Sequence, residues 1–425
     1  MSNNKKILLM FHLNFLNNDR GCTSAVYIPV KILKSLGFSI DFFSISKHDN
    51  FSDFGKYNKE NFIDNLYLDG IKYNYSSGNI NKKVKGNGFL VNIKKILKRT
   101  YIYKTYIFMR NIFKNIIFNK RKYYSNSFVS DVLLKRFHEI IKSTHYDYIY
   151  VHYIHWADLF RYSSIPSNTK LIYNMQDSHF IQQFYFSQIN RNDIGKAFMD
   201  ELNALNYFHR FICISFDEML FWSKLLPDKI FYFCPPVNPL KEFSNAPKQI
   251  DILFLGARNI LNIEGICWFL DQVYPFLQKN ISITFCGKFL LDLPQRYINR
   301  IKEYNITTIN FAENIEDLYV RAKIFIVPIL KGTGIKIKTI EALSFSIPVV
   351  STVLGVDGFP DKYESGCLVS DNPVEFASNI NNLLSNGDFY EAIINKQRKY
   401  FNKYFSYEKN IELFKEVFDE KNIER

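Results

Sequence analysis

Apolar and polar positions follow one pattern along most of the chain. A short, nearly continuous apolar run is followed by a longer stretch with apolar residues three and four apart. The runs predict strands buried on both faces, and the longer stretches predict amphipathic helices. In the first half the runs fall at 6–11, 40–44, 148–152, 170–175 and 210–215. Helices are predicted up to Gly37, over 131–143 and around 192–208. Pro235, Pro236, Pro239 and Pro247 then break the pattern, which predicts a linker. Beyond it, runs recur at 251–256, 282–287, 307–311, 324–328 and 348–352, with helices over 373–384, 389–403 and from Ser406. Strands separated by helices predict an α/β protein with two doubly wound, Rossmann-like parallel-sheet domains facing a cleft. The expected division is 1–235, a linker at 236–250, a second domain at 251–404 and a last helix at 405–425.

The 425 residues suffice for two such cores, and 47% apolar and 17% aromatic content exclude a mostly disordered chain. Six scattered cysteines, with no C-x-x-C pair, read as reduced, buried thiols of a cytoplasmic protein, not as a disulfide frame or zinc site. The start, MSNNKKILLMF, reads as a first strand and not as a signal peptide. No apolar stretch reaches the length of a spanning helix. The net charge of +13 is localised: residues 71–130 carry fourteen Lys and Arg and no Asp or Glu. Subtracting +14 from +13 leaves −1 for the rest, so a nearly neutral protein carries one basic insert at about 70–130.

The block ILKGTGIKIKTIEALSFSIPVVST at 329–352 carries the clearest chemistry. Gly332, Thr333 and Gly334 form a loop just past a strand end, where ligands of open α/β sheets bind. Glycines let backbone N–H groups approach an anion, and a helix start adds partial positive charge. Helical spacing predicts Gly334, Lys338 and Glu341 on one face and Ile337, Ile340 and Ser344 on another. A cation and a carboxylate behind a phosphate-sized nest suit a diphosphate bearing a hydroxylated sugar.

The ordered segments FLGARNILNIEGICWFLDQVYPFL, ITFCGK, ENIEDLYVRAKIFIVPI, the 332–352 block, GVDGF, CLVSDNPVEFASNINNLL and FSYEK span roughly 170 residues. Together they resemble glycosyltransferases of the GT-B fold, specifically the retaining family four (glycosyl transferases group 1). The resemblance implies a nucleotide-sugar donor on the second domain, an acceptor on the first, and a C-terminal helix crossing back to the first domain. It implies transfer with retention and without metal or cofactor, and the chain has no Asp-x-Asp pair. Glu341 matches the family's ribose-binding glutamate. Lys338 matches a lysine common in this branch and Arg258 sits in the loop after the second domain's first strand; both would offset diphosphate charge as the leaving group departs, with Lys336 and Lys288 as weaker alternatives. Thr333 stands where much of the family has a sugar-contacting glutamate. In the first domain, Gly21 and Cys22 match a glycine pair near phosphate and acceptor. Asp177 and His179 match positions near the reacting carbon. His152, His155 and Trp156 follow another strand and are expected on the acceptor side. No covalent nucleophile is assigned.

Within the insert, Ile93, Ile96, Leu97, Ile102, Tyr106, Ile107, Phe113, Ile116 and Ile117 recur at helical spacing among cations. A basic amphipathic helix there fits docking of the Lys82–Lys122 segment onto an anionic membrane face; a plain solvated face is the second reading, and nucleic acid the third, since no nucleic-acid fold accompanies it. Such an enzyme would sit in the cytoplasm, peripherally at the inner face of the membrane. A nucleotide-sugar 2-epimerase or a non-catalytic nucleotide-sugar-binding subunit are the alternatives.

Overall fold

The computed structural model describes residues 5–16, 21–45, 51, 58, 62–76, 79–82, 127–186, 189–241, 247–312 and 314–419. The helical segment expected inside the basic insert lies outside the described residues.

Two sheets organise the chain. The first has nine strands: β1 (Lys6–Met10), β2 (Ser39–Ser44), β3 (Asn65–Leu68), β4 (Ile71–Ser76), β5 (Asn79–Lys82), β6 (Tyr148–His152), β7 (Lys170–Met175), β8 (Arg210–Cys213) and β9 (Ile230–Phe233). Their order is β5-β4-β3-β2-β1-β6-β7-β8-β9. The second has six: β10 (Ile250–Leu255), β11 (Ile283–Cys286), β12 (Thr307–Ile309), β13 (Ala322–Val327), β14 (Val349–Ser351) and β15 (Leu368–Val369), in the order β12-β11-β10-β13-β14-β15. Central strands such as β1, β6 and β13 are buried along almost their whole length because helices cover both faces.

Both sheets are parallel, as expected, except at one edge of the first. β3 pairs with β4, and β4 with β5, antiparallel. Asp69 and Gly70, with φ of 49° and 75°, link β3 to β4 as a two-residue turn, and Asp-Gly suits a hairpin that needs left-handed backbone twice. Arg136 fixes the turn by donating to the Asp69 carboxylate (2.7 Å) and backbone carbonyl (2.6 Å). The start of the basic insert is therefore a β-meander at the sheet edge. Of the cysteines whose side chains are described, all are free and four are buried, but Cys267 is only half-buried.

The last helix, Tyr407–Val417, returns to the first sheet, burying Phe414, Val417 and Phe418 in that core. Tyr148 donates its hydroxyl to the Phe418 carbonyl (2.6 Å), and the buried Arg210 guanidinium donates to the Val417 and Asp419 carbonyls. These bonds satisfy carbonyls that the helix end leaves open. In the second sheet, helix Ile260–Trp268 crosses the end of β13 closely: a Cβ on Gly265 would lie 2.0 Å from the Pro328 carbonyl oxygen. The carboxyl ends of both sheets face each other. Phe216, just after β8, donates its N–H to the Gly358 carbonyl (2.9 Å), and Gly358 N–H donates to Asp217 (3.1 Å).

Candidate active site

The loop 332–334 lies after β13, and its two glycines hold positive φ, 120° at Gly332 and 69° at Gly334. Helix Ile337–Ser344 begins three residues after Gly334, so Gly334 belongs to the loop and not to a helical face. Lys338 and Glu341, one turn apart, share the half-buried face; Ile340 and Ser344 lie in the core.

Glu341 accepts a hydrogen bond from the Tyr319 hydroxyl (3.1 Å). Burial pushes its carboxyl up to about 7, against the pull of that bond and of Lys338. The Lys338 ammonium donates to Asn262 Oδ1 (2.6 Å) and lies 4.4 Å from the centre of the Phe254 ring. Burial, and then the neighbouring Lys336 charge, bring it down to about 7, while Glu341 raises it. Lys336 donates to the carbonyls of Thr333 (3.1 Å) and Gly334 (2.7 Å), bracing the glycine loop from beneath. Arg258 sits apart at the rim, exposed and paired bidentately with Asp292 (2.6 and 2.7 Å). Lys288 lies over the Phe311 ring.

Asp177, in the turn after β7, reaches this loop from the first sheet. A Cβ on Gly334 would lie 2.3 Å from Asp177 Oδ1, so only glycine admits the contact. Burial pushes the Asp177 carboxyl up to about 7, opposed by the Lys336 charge. Behind it, Glu201 and Glu218 accept from the first backbone N–H groups of helix His179–Tyr185. Glu201 takes those of His179 (2.9 Å) and Phe180 (2.7 Å), and Glu218 takes that of Ser178 (2.9 Å). Both are buried, and burial raises them to about 7 and about 8. Glu218 Oε2 has no partner among the described residues.

His155 and His179 stand edge-to-face at 4.5 Å, with His12, Tyr153 and Phe128 alongside. Tyr153 holds φ of 70°, rare for a residue with a side chain. Burial and then His155 bring His179 down to about 4. His152 corrects its expectation: it is 0% exposed, with Nδ1 on the Gln176 amide (3.1 Å), so it backs this wall instead of lining it. Trp156 is likewise 0% exposed. Gly21 and Cys22 open helix Gly21–Ser35.

Lys338, Glu341, the 332–334 loop and Asp177 thus come together; Arg258 stays at the rim, and the histidines form a separate wall. Asn262, Tyr319, Glu201 and Glu218 are site residues that the sequence pattern does not mark, and Lys336, a weaker alternative there, joins them. Asn262 and Tyr319 stand inside the matched segments, but their contacts join residues 76 and 22 positions apart. Glu218 reads locally as a helix-capping residue, since Ser215 caps helix Phe216–Leu225.

Two parallel α/β sheets meeting at their carboxyl ends, with this loop and a crossing C-terminal helix, define the GT-B fold. Residues 249–386 match the family model described as Glycosyl transferases group 1. The chain has the GT-B fold, and residues 249–386 are a Glycosyl transferases group 1 domain. A curated relative, an uncharacterized 44.6 kDa protein in the cps region of Klebsiella pneumoniae, is 27% identical over 270 residues, 59% of this chain and 69% of that one. Sucrose-phosphate synthase of Thermosynechococcus elongatus superposes with a TM-score of 0.63 at 15% identity, over 97% of this chain and 98% of that one. Anabaena HepE in complex with UDP gives 0.64 at 10% identity (97% and 99% covered). S. aureus TarM in complex with fondaparinux, alpha-GlcNAc-glycerol and UDP gives 0.64 at 11% (98% and 100%). No helix among the described residues is long and apolar enough to cross a membrane.

Proposed function

We propose that the chain transfers a sugar, with retention, from a nucleotide-sugar donor to a glycan or lipid-linked acceptor in cell-surface polysaccharide or glycoconjugate synthesis. The observation that carries this reading is the Lys338–Glu341 pair on one half-buried helical face, behind a glycine loop at the end of β13. Glu341 accepts from the ribose hydroxyls, replacing the Tyr319 contact. Lys338 and Arg258 offset the diphosphate charge that grows as the glycosidic bond breaks, which is electrostatic catalysis and needs no metal. Backbone N–H groups of 332–334 meet the phosphate or sugar. Asp177 stands next to this loop, near the reacting carbon, while His155 and His179 face the acceptor. Residues 251–404 hold the donor and 1–235 the acceptor.

UDP in the HepE and TarM complexes supports a uridine diphosphate donor, and the cps-region relative fits polysaccharide synthesis. The protein works peripherally at the inner membrane face, through the basic segment from Lys82 to Lys122. Incubation with a panel of nucleotide sugars tests the reading. Slow nucleotide release in the presence of a chelator is expected; sugar isomerisation would indicate an epimerase, and binding without turnover a non-catalytic subunit. Flotation with anionic liposomes should be lost on deleting 82–122; equal recovery of the deleted form would sink the membrane role.

A further inference from the structure

We propose that Asn262 is a positioning residue for the donor's diphosphate: its side-chain carbonyl holds the Lys338 amine in an uncharged socket, aimed at the anion. The inference rests on the donor-site reading above and adds a residue to it. Asn262 is 7% exposed, in the first turn of helix Ile260–Trp268, and both ends of its amide are used. Oδ1 accepts from Lys338 (2.6 Å) and Nδ2 donates to the Ala257 carbonyl (2.9 Å). The amide therefore ties the amine to the turn that carries Arg258. The Phe254 face closes the other side of the socket at 4.4 Å. A Cβ on Gly256 would fall 3.2 Å from Asn262 Cγ, so the turn leaves the amide little room to move.

The chemistry of the socket is specific. An ammonium held by an amide carbonyl and an aromatic face spends one donor on the amide, and neither of these two groups brings an opposite charge to it. A carboxylate at 262 would form a closed ion pair, and an arriving diphosphate would have to break it. The charged groups acting on Lys338 are Lys336, which opposes its charge, and Glu341, which favours it; Asn262 and Phe254, from the elements packed against it, are neutral. The socket thus presents a lysine whose protonation responds to an arriving anion.

The test uses the full chain with 13C-labelled lysine side chains, Lys338 being assigned from the signal lost in Lys338→Met. Asn262→Asp is isosteric and is expected to raise the titration midpoint of Lys338 by about 1 pH unit or more. Asn262→Leu removes the acceptor and is expected to lower it. The pH dependence of nucleoside diphosphate binding (UDP, GDP and ADP as probes) should move in the same two directions, with Asn262→Asp binding weakest at neutral pH. Unchanged midpoints in both variants, with only a lower melting temperature, would reduce Asn262 to a brace for the Ala257 turn and overturn the proposal. Shifted midpoints with no nucleotide bound by the native chain would establish the socket and refute the donor reading instead.

Discussion

Gly334→Ala tests how the two sheets meet around the donor. The substitution places a methyl group 2.3 Å from Asp177 Oδ1, about 1 Å closer than an ordinary contact between a carbon and an oxygen. It also forces a side chain onto a backbone with φ of 69°, which costs about 1 kcal/mol. The Asp177 side chain has little freedom to yield. Gln182 holds its other oxygen (3.3 Å), and Glu201 and Glu218 pin the backbone that follows. The displacement therefore falls on the loop or on the closure of the cleft. A misplacement of about 1 Å in a reacting geometry is worth up to about 100-fold in rate. Nucleotide release from the nucleotide sugar should fall by that order, while nucleotide affinity, set by Lys338 and Glu341 in the second domain, should fall less than about tenfold. Unchanged turnover would show that the Asp177–Gly334 contact is not part of the working geometry. Equal losses of binding and turnover would show that the loop has collapsed locally.

Other outcomes follow from the charges. The Glu218 carboxyl is raised to about 8 by burial, so the native state keeps a proton that the unfolded chain, near 4.5, releases. Its stabilising contribution is full below that unfolded value and is lost as pH rises through 8. Glu218→Gln should therefore gain on the native protein between pH 5 and pH 9, by on the order of a few kcal/mol. Thermal melts at the two pH values check it, and an equal difference at both would contradict it. Asp292→Ala breaks an exposed pair and should leave the melting temperature unchanged, whereas Arg258→Ala should slow nucleotide release. Full activity of Arg258→Ala would make that arginine a surface charge only.

The buried parallel strands were legible because they are apolar on both faces; β6 and β7 fall where their runs predict. The edge strands were not. In IKYNYS and NINK polar residues interrupt the run, so the Asp69–Gly70 turn is a hairpin signal without the alternating apolar strands that normally flank one. β9 and β15 are four and two residues long, too short for any periodicity. At the site, residue types and loop chemistry could be read, since glycine, lysine and glutamate lie close in sequence. Partnerships could not: Lys338 on Asn262, Tyr319 on Glu341 and Asp177 against Gly334 are all products of tertiary packing. The sugar also stayed open, because Thr333 offers no carboxylate to pair with particular hydroxyls.

Nucleotide binding by the native chain and by Glu341→Ala, measured calorimetrically with UDP and its sugar conjugates, bears most directly on the central claim. Hydrogen bonds from ribose hydroxyls to a charged acceptor are worth about 1.5–3 kcal/mol each, so the alanine variant should lose about 10- to 100-fold in affinity. Its melting temperature should change little, since Glu341 is half-buried and accepts a neutral hydroxyl donor, Tyr319. Equal affinity of the two proteins would contradict the assignment of the 332–352 segment as the donor site.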